Sequence, residues 1–152
     1  VLVLMAEGDH LTGLRISPSG EAGATGGDID HPVLAAAVAQ LAAWFAGEST
    51  DFDLPLAPAE SGEAAKLRHA VAAIPYGNTM TYGEVAAKCG SVARAVGGAC
   101  KANPFPIIIP CHRVTSAAGP EFYSAGAGPR TKSWLLDFEY SNLPDDQRTR
   151  LL

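Results

Sequence analysis

Ile107-Ile108-Ile109-Pro110-Cys111-His112-Arg113-Val114 decides how this chain is read. Three β-branched apolar residues suit a short buried strand, and Pro110 then breaks the ladder. Cys111 stands at the break with His112 beside it. A strand end can expose such a thiol to a pocket, and a neighbouring imidazole can lower its pKa and make it a nucleophile. The plain alternative is that Cys111 is one more buried cysteine. A Cys-His pair alone does not choose, because cysteine signatures do not transfer between families.

Working outward, residues 115–128 are rich in Gly and Ala and carry Tyr123-Ser124, a loop able to line a pocket. Residues 134–140 then read as a helix, and the tail from Ser141 is polar and expected to be loosely attached. On the other side, residues 82–89 form a short helix with Thr81 as its N-cap. Gly90-Ser91 is a turn, and residues 92–102 form a second helix closed by Asn103-Pro104. A helix-turn-helix in a basic segment is a DNA-docking candidate, although many such pairs are packing units. The second helix holds Ala93-Arg94-Ala95-Val96-Gly97-Gly98-Ala99. Adjacent glycines cost about 1 kcal/mol each in a helix interior. Close approach of the helix backbone to a partner would explain them, the partner being either the protein's own core or a nucleic-acid groove.

Further upstream, residues 63–74 read as a helix stopped by Pro75-Tyr76-Gly77, and Pro55, Pro58 and Gly62 mark a crossing between halves. Residues 51–56 look extended. Residues 32–45 form a helix that starts at Pro32, repeats Val33-Leu34, Val38, Leu41 and Trp44-Phe45 at helical spacing, and ends at Gly47. Residues 17–30 read as a loop. Residues 1–6 and 10–16 alternate as a hairpin around Glu7-Gly8-Asp9.

The 152 residues suit one domain, or two small lobes sharing a core. With 47% hydrophobic and 18% charged residues, the composition is that of a soluble globular protein. No stretch approaches the roughly 18 apolar residues of a membrane helix. The opening Val-Leu-Val-Leu-Met-Ala is short for a signal peptide and has no basic flank. Three cysteines, an odd number, argue for thiols in a reducing compartment. Cys89 and Cys100 read as packing residues, and His10, His31 and His69 as surface groups without partners at ligand spacing.

The net charge of −5 argues against nucleic acid until its distribution is considered. Residues 1–79 carry three basic and ten acidic side chains, whereas residues 80–133 carry six basic and two acidic. The six are Lys88, Arg94, Lys101, Arg113, Arg130 and Lys132. Such asymmetry points to a polyanion-binding face on an acidic protein, unless it is chance clustering.

Several separated pieces then agree in order: Ile74-Pro75-Tyr76-Gly77, Thr81-Tyr82-Gly83-Glu84-Val85-Ala86, Arg94-Ala95-Val96-Gly97, Asn103-Pro104, Pro110-Cys111-His112-Arg113-Val114, Tyr123-Ser124 and Trp134-Leu135-Leu136. The set resembles the O6-alkylguanine-DNA alkyltransferase family, the methylated-DNA–protein-cysteine methyltransferases, over roughly residues 31–140. The resemblance implies an α/β, ribonuclease-H-like N-terminal lobe (1–60) and a mostly α-helical C-terminal lobe (61–152). The C-terminal lobe would carry the helix-turn-helix, bind DNA and accept the alkyl group. It implies a single-turnover transfer of the alkyl group of O6-alkylguanine, and of O4-alkylthymine, in double-stranded DNA to a cysteine. The base is flipped out of the stack for this. The family docks its second helix in the minor groove, which suits an Ala/Gly surface.

Residue by residue, the resemblance implies that Cys111 is the acceptor and His112 the base that takes its proton through a water. Glu139 is the carboxylate holding that histidine, by the logic of a catalytic triad. Tyr82 is the phenol donating to guanine N3 and helping to rotate the nucleotide. Asn103 is the hinge that ties the helix pair to the active-site loop. Arg94 fills the vacated stack, and Ala93, Ala95, Gly97, Gly98, Lys101 and Arg113 complete the DNA-binding set. Pro106, Val114, Tyr123 and Ser124 line the substrate pocket. The resemblance implies a monomer with no cofactor, metal or membrane, working in the cytoplasm at the nucleoid (in the nucleus if eukaryotic). A zinc site that some members carry cannot be assembled, since no cysteine precedes Cys89.

Three departures bear on these expectations. Glu63 and Arg68 stand where the family usually has aromatics, so the packing between lobes must differ. The turn at Cys89-Gly90-Ser91-Val92 is about two residues shorter than in many members. Pro120-Glu121-Phe122 replaces a common Gly-Gly and should narrow the pocket against bulky adducts such as benzyl. Two rival readings stay open. One is a non-catalytic lesion-binding relative, which usually lacks the acceptor cysteine that Cys111 supplies. The other is a cysteine hydrolase, which would need an oxyanion hole and turnover.

Overall fold

The structure is a computed structural model and describes residues 2–17, 31–116 and 128–147. β1 (Leu2–Glu7) and β2 (His10–Ile16) form an antiparallel hairpin. Gly8 takes the positive φ of 62° that a tight hairpin turn needs. A bulge between Met5 and Ala6 shifts the register. α1 (Pro32–Phe45) begins on its proline and buries Val33, Ala37, Leu41 and Trp44, a single stripe at helical spacing.

The chain then runs extended past β2. Leu11 N donates to the Pro55 carbonyl and Ala57 N to the Leu11 carbonyl, each at 2.8 Å. α2 (Gly62–Ala72) is opened by Ser61, whose hydroxyl accepts from Ala64 N at 3.1 Å, and it buries Leu67 and Val71. β3 (Met80–Thr81) leads directly into α3 (Tyr82–Cys89). Thr81 and Glu84 form a reciprocal capping box there, and Gly90, left-handed at φ 66°, ends the helix. After that turn comes α4 (Ala93–Lys101). β4 (Val114–Thr115) pairs in parallel with β3, and α5 (Pro129–Ser141) closes the fold.

Two apolar clusters hold these elements. One joins Leu11, Val33 and Ala37 to Leu67, Val71, Ile74, Val85, Val96, Phe105, Ile109, Cys111 and Val114. The other joins Leu14, Leu41 and Trp44 to Ile107 and Leu135. Both draw residues from either side of residue 60, so the two halves share their core. Arg68 helps at the seam: its guanidinium lies 5.4 Å from the Phe105 ring centroid and donates to the Ala57 carbonyl at 2.8 Å. A cation over an aromatic face thus stands where the sequence comparison expected an aromatic side chain.

Three sequence-based expectations are corrected. Ile107–Ile109 is not a strand. Ile109 N donates to the Phe105 carbonyl at 2.8 Å, and Ile107 sits at φ 74°, a conformation costly for a β-branched residue. Flanking Pro106 and Pro110 offer no N–H to a ladder, so the isoleucines fill the core from an irregular turn instead. The last helix starts at Pro129, five residues before the expected Trp134. The tail beyond Ser141 is held at its start, because Leu143 is buried against Gly77. A Cβ on Gly77 would lie 2.6 Å from Leu143 Cδ1, and its φ of 78° also favours glycine.

Candidate active site

Pro110, at φ −79° and ψ 61°, makes an inverse γ-turn closed by Cys111 N donating to the Ile109 carbonyl at 2.7 Å. The chain then takes one 3₁₀ turn, Cys111–Arg113, before β4. Successive side chains of such a turn point about 120° apart. Cys111, His112 and Arg113 are therefore all buried but meet different partners.

The Cys111 sulfur accepts a hydrogen bond from Asn103 Nδ2 at 3.1 Å. The same amide donates to the Ile109 carbonyl at 3.0 Å, while Asn103 Oδ1 accepts from Phe105 N at 2.9 Å. Asn103 thus ties the end of α4 to both limbs of the turn that presents the thiol.

His112 is fully buried, with Nε2 2.6 Å from Glu139 Oε2 of α5. A carboxylate only accepts, so Nε2 carries the proton and Nδ1 keeps its lone pair. Nδ1 is buried and has no hydrogen-bond partner among the described residues. Burial holds the imidazole pKa below its ordinary value, outweighing the hydrogen bond and charge of Glu139 that pull it up. Arg113 and Lys132 push it down further.

Glu139 also takes Arg113 in bidentate fashion: Nε to Oε1 at 2.8 Å and Nη2 to Oε2 at 2.8 Å. Gly77 N donates to Oε1 at 3.2 Å. Burial pushes this carboxyl up, but the hydrogen bonds and charges of His112 and Arg113 prevail and hold it at about 2. Arg113 Nη1 is used as well, on the Ile74 carbonyl at 2.7 Å, and the guanidinium lies over the Tyr76 ring.

Lys132, in the first turn of α5, is 1% exposed. Its Nζ donates to the Val114 carbonyl at 2.5 Å and lies 5.7 Å from the Tyr82 ring centroid. Burial lowers its pKa, against the charges of Cys100 and Cys111. A cavity of about 370 Å³ lies between the chain near Pro58, α2 and the end of α4, and Asn103, Phe105 and Cys111 are on its wall. Among the described residues, no three His, Cys, Asp or Glu side chains converge on a metal position.

The outer face of α4 presents Ala93, Arg94, Gly98 and Lys101, all exposed, with Ala95 and Gly97 half-buried. A Cβ at Gly98 would meet nothing within 4 Å, and one at Gly97 would only touch Tyr82 Cε1 at 4.0 Å. The protein's own packing therefore does not require these glycines.

Residues 64–141 match the family model described as "6-O-methylguanine DNA methyltransferase, DNA binding domain", and residues 1–58 match its "ribonuclease-like domain". The chain belongs to the 6-O-methylguanine DNA methyltransferase family. A Mycobacterium tuberculosis methylated-DNA–protein-cysteine methyltransferase is 40% identical over 148 residues, 95% of this chain and 89% of that protein. A constitutive one from Bacillus subtilis is 40% identical over 112 residues, 72% of this chain and 68% of that protein. A crystal structure of Mycobacterium tuberculosis OGT in complex with DNA superposes with a TM-score of 0.75 at 38% identity, over 97% of this chain and 91% of that one. The methyltransferase fold is thus a ribonuclease-like N-terminal domain and a helical DNA-binding domain.

Within this family member, the structure places two hydrogen-bonded groups next to one another in sequence, Asn103 on the Cys111 sulfur and Glu139 on His112 and Arg113. Arg113 is a correction. It was expected on the DNA-binding face, but it is buried and spent on Glu139 and Ile74. Lys132 is likewise buried, so two of the six basic residues of 80–133 do not stand on the surface. Pro106 and Val114 are buried and do not line the cavity that reaches Cys111. Tyr123 and Ser124, with the pocket-narrowing Glu121 and Phe122, lie outside the described residues. The sequence places Lys132 among the cations of a polyanion-binding face; nothing in its neighbourhood, with Arg130 two residues away, marks it as buried.

Proposed function

We propose that this protein repairs O6-alkylguanine, and O4-alkylthymine, in duplex DNA by moving the alkyl group to Cys111, once per molecule. The observation that carries the reading is the Asn103-bonded thiol of Cys111 followed directly in sequence by the buried group His112–Glu139–Arg113, in a member of this family. His112 is a neutral base with its Nδ1 lone pair available, and it takes the Cys111 proton through one water. Glu139, fixed by Arg113, sets the tautomer and stabilises the imidazolium that forms. The thiolate attacks the alkyl carbon in line, the C–O bond breaks, and electrons return to the guanine ring. Tyr82 donates to guanine N3 as charge develops there. The thioether formed has no route to hydrolysis in this site, so the protein is consumed.

Residues 82–101 act as the DNA-binding helix-turn-helix, with α4 in the minor groove. The small face at Ala93, Ala95, Gly97 and Gly98 admits the groove wall, Arg94 fills the gap left by the flipped nucleotide, and Lys101 meets a phosphate. The division into 1–60 and 61–152 falls in the gap between the two matched segments. The substrate pocket is a space other than the cavity between α2 and the end of α4, and Pro106, Val114, Tyr123 and Ser124 complete it. The protein works as a monomer, in the cytoplasm at the nucleoid or in a nucleus. No described helix is long and apolar enough to cross a membrane.

The test is a duplex oligonucleotide with one O6-methylguanine, digested to nucleosides after incubation. Guanine should be restored in an amount that never exceeds the protein added, and not at all by Cys111→Ala. Restoration beyond one guanine per protein, or restoration by that variant, contradicts the reading.

A further inference from the structure

The cavity that reaches Cys111 carries a second sulfur. Cys100, in the last turn of α4, lines the same space together with Glu60, Arg68, Asn103 and Phe105. One residue links the two cysteines: Asn103 N donates to the Cys100 carbonyl at 3.3 Å, and Asn103 Nδ2 donates to the Cys111 sulfur at 3.1 Å. Cys100 sits at a helix end, where the backbone yields most easily, and the cavity gives its side chain room to turn. Cys89, by contrast, is turned onto its own helix, with its sulfur on the Val85 carbonyl at 3.3 Å.

We propose that Cys100 and Cys111 form a redox pair, in which a hydroperoxide oxidises Cys111 and Cys100 captures it as an intramolecular disulfide. The consequence for repair rests on Cys111 being the alkyl acceptor; the disulfide itself does not. The Cys111 thiolate attacks a peroxide oxygen, the O–O bond breaks, and the leaving oxygen departs as hydroxide or alkoxide and takes up a proton. Cys111 is then a sulfenic acid, oxidised by two electrons. The Cys100 thiol loses its proton and attacks that sulfur, expelling hydroxide, which leaves as water. In sum, two thiols and one hydroperoxide give one disulfide, one water and one alcohol, or a second water.

The order of events follows from the surroundings. Burial, then the charge of Cys111, pushes the Cys100 thiol up to about 12, against the pull of Lys132. Cys100 therefore stays protonated while Cys111 is the nucleophile. Conversion of Cys111 to a neutral sulfenic acid removes the opposing charge and leaves that of Lys132, which eases loss of the Cys100 proton, while burial, the larger cause, is relieved as the side chain turns into the cavity. Such a disulfide would keep a one-use thiol from passing to the irreversible sulfinic acid.

The experiment treats the reduced full chain, and its Cys100→Ala variant, with hydrogen peroxide. Remaining thiols are blocked, and non-reduced peptides are mapped by mass. The wild type should give one intramolecular peptide pair joined through Cys100 and Cys111, lighter by two hydrogens. Dithiothreitol should restore both thiols and methyl transfer. Cys100→Ala should transfer methyl groups normally when reduced, but pass to sulfinic acid at Cys111 under peroxide and not recover. Sulfinic acid forming at Cys111 equally in both proteins, or linkage through Cys89 or between molecules, would overturn the proposal. If neither untreated protein transfers a methyl group, the acceptor reading falls, while the peptide map still decides on the disulfide.

Discussion

Glu139 Oε2 lies 2.6 Å from His112 Nε2 and 2.8 Å from Arg113 Nη2, so one buried carboxylate oxygen serves the base and the cation next to it in sequence. Burial chiefly holds His112 below its ordinary pKa, against the pull of Glu139, and the charge of Arg113 adds to it. The imidazole is therefore neutral at physiological pH and able to accept the thiol proton. Glu139→Gln breaks this arrangement by stranding the Arg113 guanidinium. The variant should lose on the order of 3–5 kcal/mol of stability. Among molecules that fold, transfer should be slower by roughly 100-fold. Urea unfolding and single-turnover kinetics measure both, and an unchanged rate would contradict the assigned role.

Acid should unfold this protein in two stages. The unfolded His112 binds a proton near its ordinary 6.5 while the folded one resists, so stability is complete above that pH and falls below it. The unfolded Glu139 is protonated near its ordinary 4.5, whereas the folded one resists until about 2, so more stability is lost between those values. Urea midpoints across this range should show both stages, and Glu139→Gln should abolish the lower one. A midpoint flat from neutral pH into the carboxylate range would contradict this.

Gly98→Ala separates folding from DNA binding. No protein atom lies within 4 Å of the added Cβ, so the helix should gain about 1 kcal/mol from propensity alone. The same methyl group would stand on the face we place against the minor groove. Thermal melts should rise while affinity for a duplex falls; an affinity that does not change would remove α4 from the interface.

Asn103→Ala deletes three hydrogen bonds at the seam between α4 and the thiol turn. The Ile109 carbonyl and Phe105 N–H are left without these partners, at a cost of about 1–3 kcal/mol. The Cys111 sulfur loses its donor too. Iodoacetamide labelling and methyl transfer should both slow, and full transfer activity would show that the hinge is only structural.

Lys132→Met removes a positive charge that acts on the Cys111 sulfur and sits over Tyr82. Methionine fills similar volume, so folding should survive. Labelling of Cys111 at neutral pH should slow by roughly 10-fold, the effect of one pK unit of charge stabilisation. Recovery of the rate at higher pH would identify the effect as electrostatic; a pH-independent loss would mean mispacking.

Much of this was legible in the sequence where local rules act. Thr81, Glu84 and Gly90 state where α3 begins and ends, because a capping box and a left-handed glycine are short-range signals. Pro32 and the Val33-Ala37-Leu41-Trp44 stripe do the same for α1. What failed was long-range. Ile107–Ile109 has the composition of a strand but no partner to pair with, so its residues fill the core from a turn. Arg113 reads as a surface cation because its carboxylate lies 26 residues away on another helix. Glu139 itself was found only through family resemblance, since nothing around Trp134 marks a buried acid. Lys132 reads as one more surface cation because a lysine in sequence carries no sign of burial.

The most direct measurement is the intact mass of the protein after incubation with a duplex containing O6-methylguanine, followed by peptide mapping. The expected result is a gain of one methyl group in place of a hydrogen, located on Cys111, never exceeding one per molecule and absent from Cys111→Ala. An unmodified Cys111 in protein that still binds the lesion, or a methyl group on any other residue, would contradict the transfer to this thiol.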